Sequence, residues 1–228
     1  MTKLEGSLGY VFVERELLAR ALTHRSFTEE TAGEDRHNER LEWLGDAVLE
    51  MLTTEALHQR FEQAPEGQLS RMRAELVRTQ TLAAVGRDFD VGPHLRLGRG
   101  EELTGGREKD RVLANAVEAL LGAAWVDGGL AAVTQPYERG WRGRIEAIED
   151  PATYGKDPKS ALQELSWKLW QLHPRYVDLG HEGPPHARTY HCGVQCGEHV
   201  TARGSGASKR SAQRAAARIA LGRARQPA

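Results

Sequence analysis

Three carboxylates fall at helical spacing in the stretch Asn38-Glu39-Arg40-Leu41-Glu42-Trp43-Leu44-Gly45-Asp46-Ala47-Val48-Leu49. Glu42 and Asp46 are four residues apart and Glu39 stands three before Glu42. On a helix turning about 100° per residue, all three lie within roughly 60° of one another. Asn38 is a good N-cap, and Leu41, Leu44, Val48, Met51 and Leu52 recur at the helical period, carrying the helix to about Phe61. Like charges at this spacing repel, so the strip calls for a cation or a basic partner between the acids. The competing explanation is an acidic first turn complementing the helix dipole. It accounts for Glu39 but not for Asp46, which lies two turns in.

A second polar pair lies on Arg111-Val112-Leu113-Ala114-Asn115-Ala116-Val117-Glu118-Ala119-Leu120-Leu121-Gly122, a small-residue segment that reads as a tightly packing helix. Asn115 and Glu118 share a face. On so apolar a helix they need partners when buried, and by themselves they read as a core hydrogen-bonding pair.

The elements that position these residues follow from periodicity and breakers. Residues 4–32 predict two short helices, with Leu17, Leu18, Ala21 and Leu22 as an apolar stripe running into Thr23-His24-Arg25-Ser26. His24 and Ser26 lack a third partner for nucleophilic chemistry and read as helix-end packing. Residues 29–37 read as loop. After the break Ala64-Pro65-Glu66-Gly67, one helix is expected from about Gln68 to Gly86, with Leu69, Met72, Leu76 and Val77 inward. Residues 92–111 are rich in glycine and charge, as either a flexible connector or a loop approaching phosphate. Gly128-Gly129 breaks the next helical stretch, which ends through Trp141, Ile145 and Ile148.

Net charge divides the chain. Residues 1–150 hold 19 Lys and Arg against 27 Asp and Glu, and residues 151–228 hold 12 against 5, within a total of −1. An acidic part joined to a basic part suggests cation use in one and polyanion binding in the other. The expected domains are 1–148, a linker at 149–156, and 157–226. In the second, Asp157 caps and Pro158 opens a helix burying Leu162, Leu165, Leu169 and Trp170. Strands are expected at Arg175–Gly180, Ala187–Cys196 and Glu198–Ser205, and a last helix runs to about Arg223. The two cysteines, Cys192 and Cys196, form no disulfide framework, and with His191 and His199 they match no usual zinc spacing. The first residues lack a signal-peptide core and no apolar run approaches a membrane span, so no membrane association and a cytoplasmic location are expected.

The dodecamer from Asn38 resembles the signature of the ribonuclease III family, with Trp43 where that family usually has Phe. Ala21-Leu22-Thr23-His24-Arg25-Ser26, Glu66-Gly67-Gln68-Leu69-Ser70-Arg71-Met72-Arg73, Gly100-Glu101-Glu102 with Gly105-Gly106-Arg107, and the Asn115–Glu118 helix extend the likeness. The α-β-β-β-α order of the second part resembles a double-stranded-RNA-binding domain. It does so through Gln163-Glu164, Gly183-Pro184-Pro185-His186 and Ser208-Lys209-Arg210. The expected fold is therefore an all-α nuclease domain followed by an α+β (α-β-β-β-α) double-stranded-RNA-binding domain.

The resemblance implies an endoribonuclease that hydrolyses double-stranded RNA with Mg2+, manganese being a substitute, and leaves 5′-phosphate and 3′-hydroxyl ends. It implies metal ligation by Glu42, Asp46, Asn115 and Glu118, indispensable roles for Asp46 and Glu118, and supporting roles for Glu39 and Glu66. RNA contacts fall to Gln163, Glu164, His186, Lys209 and Arg210. Gln213 stands where many members carry a third basic residue. A homodimer is implied, with Trp43 either an interface knob or an internal core residue. Ribosomal RNA precursors and some mRNAs are the implied substrates. Asn115 departs from the usual Asp, which keeps a carbonyl ligand but removes a charge. A double-stranded-RNA-binding protein with an impaired nuclease site is therefore the alternative.

Overall fold

The computed structural model describes residues 2–31, 36–152 and 154–224. The chain forms two compact units, Met1–Tyr154 and Gly155–Ala228. The first is helical: α1 (Lys3–Leu8), α2 (Arg15–Ala21), α3 (Arg25–Thr31), α4 (Glu39–Arg60), α5 (Glu66–Leu76), α6 (Thr79–Asp88), α7 (Arg99–Leu103) and α8 (Asp110–Glu146).

Residues 4–32 hold three helices rather than two. Thr2 and Glu5 close α1 in a reciprocal capping box, and Gly9 ends it in the left-handed region at φ 73°. The second break falls at Thr23, which forms an isolated parallel bridge with Arg96. The Arg96 amide donates to Leu22 O at 2.8 Å and the His24 amide to Arg96 O at 3.0 Å. Of the expected 29–37 loop, 29–31 belong to α3 and 32–35 lie outside the described residues. Thr153 of the expected linker and 225–226 of the expected second domain lie outside them too.

The helix expected over 68–86 is two helices. Arg78 is extended (φ −70°, ψ 155°), and the Thr81 hydroxyl donates to Glu75 O at 2.7 Å, satisfying a terminal carbonyl of α5. Residues 92–108 are ordered. Arg107 makes two hydrogen bonds to the Glu102 carboxylate, both 2.7 Å, and also donates to Gly92 O at 2.9 Å and Leu95 O at 2.7 Å.

The core of this unit is the crossing of α4 and α8. Leu41, Val48, Leu49 and Leu52 of one helix pack with Val112, Leu113, Ala116, Val117, Leu120 and Leu121 of the other, all buried. Two glycines set their separation. A Cβ on Gly45 would lie 1.8 Å from Glu118 O, and one on Gly122 would lie 2.2 Å from Leu41 O. The two backbones therefore touch directly, which no residue larger than glycine permits. Met51, expected on the inward stripe, is exposed: it falls about 60° outside the buried arc of Leu41, Gly45, Val48, Leu49 and Leu52.

In α8, Gly128 and Gly129 leave helical geometry as the breaker pattern predicts. The helix has an 18-residue window of mean hydropathy 1.4, long and apolar enough by length and composition to cross a membrane, contrary to the expectation of no such run. That window is 56% buried inside the unit, which accounts for its composition as a core helix.

The second unit runs α9 (Pro158–Trp170), β1 (Arg175–Glu182), β2 (Thr189–Cys196), β3 (Val200–Gly206) and α10 (Lys209–Ala224). The sheet is antiparallel in the order β1-β2-β3, with Val177 opposite Gly193 and Cys192 opposite Gly204. Asp157 caps α9 by accepting from the Lys159 amide at 3.0 Å, with Pro158 first in the helix. Leu162, Val194, Cys196, Val200, Ala202, Ala216, Ala217 and Ala220 make the core. Gly204 lets α10 rest on β3: its Cβ would lie 2.1 Å from the Ala216 amide nitrogen. Leu165 and Trp170 are half-buried, whereas Leu169 is exposed. Of the four residues expected inward on α9, only Leu162 is fully buried, in the cluster with Ala216, Ala217 and Ala220, and Leu169 lies in the last turn of α9.

Candidate active site and nucleic-acid interface

The Gly45–Glu118 contact decides where the acids meet. Asp46 follows Gly45 on α4, and Glu118 is the residue whose carbonyl Gly45 touches. Burial, then the neighbouring Asp46 and Glu42 carboxylates, push the Glu118 carboxyl up to about 8. Glu42 is also raised, first by burial and then by Glu39. Arg111 and a hydrogen bond donated by the Asn115 amide act in the opposite direction, and Asp46 again raises it. Glu39, Glu42, Asp46, Asn115 and Glu118 thus form one interacting group across two helices. Glu66 does not join it: it is exposed at the start of α5 and accepts from the Ser70 hydroxyl at 2.6 Å.

Among the described residues, no three His, Cys, Asp or Glu side chains are already gathered as an ion cage. The donor set nevertheless suits a hard divalent cation, being three carboxylates and an amide oxygen with no sulfur or imidazole. The raised Glu118 carboxyl is what uncompensated negative charge around a half-buried acid produces. The residues present fit magnesium or manganese.

Beside the acids lies a cleft of about 340 Å³ lined by His24, Arg25, Asn38, Glu39, Glu42, Glu101, Lys109, Arg111, Val112 and Asn115. Asn38 is buried at the N-cap position, but its side chain makes no cap hydrogen bond; its amide donates to Ala21 O at 3.4 Å. The expected cap is therefore a tie between helices. His24 and Ser26 are also more than helix-end packing. Their side chains lie 2.9 Å apart, and Ser26 Oγ accepts from the Gly98 amide at 2.9 Å, holding the glycine-rich segment to the cleft. Arg25 reaches Glu39 at 3.7 Å. Sequence reasoning missed Arg25 and Arg111, whose sole signal was positive charge near the acidic motifs. Trp43 is 79% exposed, which removes the internal-core explanation and leaves an uncovered indole on α4.

In the second unit, Gln163, Glu164, His186, Lys209 and Arg210 are all exposed. Gly183 (φ 90°) closes the Pro184-Pro185-His186 loop, where a Cβ would lie 2.7 Å from Ala187 O. Lys209 pairs with Asp178 at 2.7 Å and Glu164 with Lys156 at 2.6 Å. Gln213 accepts from Lys159 Nζ at 2.8 Å, so its residue type holds a neighbouring cation in place. Cys192 and Cys196 are buried free thiols, each raised by burial, and sit in the strand pattern without forming a metal cluster.

A helical unit with acids convergent at a helix crossing, followed by an α-β-β-β-α unit with a basic loop and helix start, defines a nuclease that carries its own RNA-binding domain. Residues 14–139 match the Ribonuclease-III-like family, and residues 158–222 match the double-stranded RNA binding motif. Ribonuclease 3 of Magnetococcus marinus is 44% identical over 226 residues, 97% of this chain and 92% of that protein. Ribonuclease 3 of Azotobacter vinelandii is 46% identical over 225 residues, 97% and 94% respectively. A crystal structure of the nuclease domain of ribonuclease III from Campylobacter jejuni is 36% identical, with a TM-score of 0.56 over 65% of this chain and 95% of that one. A second structure of that domain, describing flexibility in a region involved in dimer formation, is 38% identical with a TM-score of 0.56, over 61% and 97%. The chain belongs to the ribonuclease III family and is an endoribonuclease of that type.

Proposed function

We propose that this chain hydrolyses phosphodiesters of double-stranded RNA with magnesium, or manganese in its place, held by Glu42, Asp46, Asn115 and Glu118. The proximity of Glu118 to Asp46 and Glu42 across the Gly45–Gly122 crossing carries this reading. When bound, the ion supplies an acidified water and neutralises charge developing on the leaving oxygen. Asp46 and Glu118 present oxygens from separate helices, so the rigid crossing fixes their separation. Asn115 lines the cleft with Glu42 and draws its carboxyl down. Glu39 and Glu66 act outside this set. Products carry 5′-phosphate and 3′-hydroxyl ends, and ribosomal RNA precursors and some mRNAs in the cytoplasm are the substrates.

Gln163, Glu164 and His186 meet the shallow minor groove of the duplex, and Lys209 and Arg210 meet its phosphates. Residues 149–156 connect the two activities. Cutting both strands asks for two acidic sites. A homodimer seated on the exposed Trp43 supplies them, a reading supported by the dimer-forming region described for the Campylobacter jejuni domain.

The neutral Asn115 beside Glu42 in the cleft also favours a second reading, a double-stranded-RNA binder whose nuclease site is impaired by the missing charge. A magnesium titration of cleavage on long double-stranded RNA, with Asn115→Asp alongside, decides between them. Cleavage by the parent, lost in Glu118→Ala and shifted to several-fold lower magnesium in Asn115→Asp, supports the enzyme. A parent that never cuts beside an Asp variant that does would establish the binder.

A further inference from the structure

Arg111 is a cation of the nuclease cleft to which no role has been assigned. It stands one helical turn before Asn115 on α8, is exposed, and lines the same cleft as Glu42 and Asn115. The other cations of that cleft wall are engaged. Arg25 pairs with Glu29 at 2.7 Å and approaches Glu39 at 3.7 Å. Lys109 binds Glu101 at 2.8 Å and the Thr104 hydroxyl at 2.7 Å. Among the described residues, the Arg111 side chain makes neither an ion pair nor a hydrogen bond. Its charge acts on Glu42, drawing that carboxyl down against burial and Glu39, but the two form no ion pair. A guanidinium left uncommitted beside an acidic site offers a planar fork of N–H donors that matches phosphate geometry.

We propose that Arg111 is a phosphate-binding residue of the nuclease cleft, taking a backbone phosphodiester of the RNA as the duplex settles over the carboxylates. This rests on the reading that RNA enters this cleft. The arrangement also gives the neutral Asn115 a context. Along one face of α8, a cation followed by an uncharged amide shifts the balance of the cleft from holding ions toward holding phosphate. Arg111 would therefore act on substrate affinity, while the acids act on the chemical step.

The test is binding of a fluorescent RNA duplex to the full chain in EDTA, measured by anisotropy across a salt series for wild type, Arg111→Gln and Arg111→Lys. Arg111→Gln should weaken binding about tenfold at low salt and reduce the slope of log K against log salt by about 0.9, one phosphate contact. Its melting temperature should be unchanged, and Arg111→Lys should restore the slope. In magnesium, Arg111→Gln should raise KM with kcat little altered. Unchanged affinity and slope in the Gln variant would overturn the proposal. So would a lowered melting temperature that Arg111→Lys does not repair, since Arg111 would then be a structural partner of Glu42. A wild type that binds duplex but cleaves at no magnesium concentration would refute the nuclease reading alone, with the binding arms still judging Arg111.

Discussion

Replacing Gly45 with alanine should separate the two helices that hold the acids. The added Cβ would sit 1.8 Å from Glu118 O, 2.6 Å from Glu118 C and 2.9 Å from the Gly122 amide nitrogen, all backbone atoms with no rotamer to change. Ordinary contact begins near 3.4 Å, so α4 and α8 must part by about 1.5 Å at the crossing. Overpacking of a close-packed core costs about 1–3 kcal/mol, and a clash against two backbones belongs at the upper end. Better helix propensity returns about 1 kcal/mol, leaving a net loss of about 2 kcal/mol or more. For a unit of this size that is a fall of about 4–8 °C in melting temperature. The same displacement passes to Asp46 and Glu118, and misplacing reacting groups by about 1 Å lowers turnover on the order of 10²-fold. Thermal melts by circular dichroism and kcat/KM on duplex RNA at saturating magnesium give both numbers. Gly143→Ala on α8 is the control, because a Cβ there meets nothing within 4 Å and should be neutral or slightly stabilising. If Gly45→Ala melts within 2 °C of wild type and keeps its turnover, the backbone crossing does not position the site.

Glu118→Gln should melt at or above the wild-type temperature in EDTA, since it removes the cost of keeping at this site an acid that burial, then Asp46 and Glu42, push up to about 8, yet lose at least about 100-fold in cleavage; a large destabilisation would contradict this. Glu5 is fully buried, and although burial pushes its carboxyl up, hydrogen bonds from the Thr2 amide, Arg15, the Phe12 amide and the Thr2 hydroxyl hold it at about 2 instead of 4.5. Its contribution, up to about 3 kcal/mol, is present above pH 4.5 and lost as the pH falls toward 2, so urea melts of Glu5→Gln should be weaker at pH 7 and converge with wild type near pH 2. Lys209→Ala should weaken duplex binding alike for all sequences and flatten the salt slope by about one phosphate, less whatever its pairing with Asp178 already screens; a sequence-dependent loss would argue for base readout.

Much of the frame was readable because periodicity and breakers carried it. The acidic strip, the helix from Asn115 to Glu118, the Gly128-Gly129 break and the Asp157–Pro158 helix start all rest on local rules. The interruption at Arg78 escaped because no glycine or proline marks it and a threonine hydroxyl does the work of a cap. Met51 falls outside the buried arc of α4 and Leu169 in the last turn of α9, and periodicity alone does not reveal how far the covering elements reach. The convergence of Asp46 with Glu118 depends on the touching backbones at Gly45 and Gly122, and a glycine inside a helical pattern carries no record of what it faces. Arg111 and the burial of Asn38 belong to the same class of tertiary fact.

Helix α3 is short, yet it grips both walls of the cleft. Ser26 and Glu30 take the amides of Gly98 and Arg99, while Arg25 reaches across to Glu39. The span between those attachments behaves like a buckle: cut it and the Gly98–Arg99 turn loses its link to Glu39 of α4, while the Leu22–Arg96–His24 bridge still anchors the chain just before it. A single protease nick within 25–30 should therefore leave a folded protein with a slack mouth, and RNA that shields those bonds from the protease would be sitting in it.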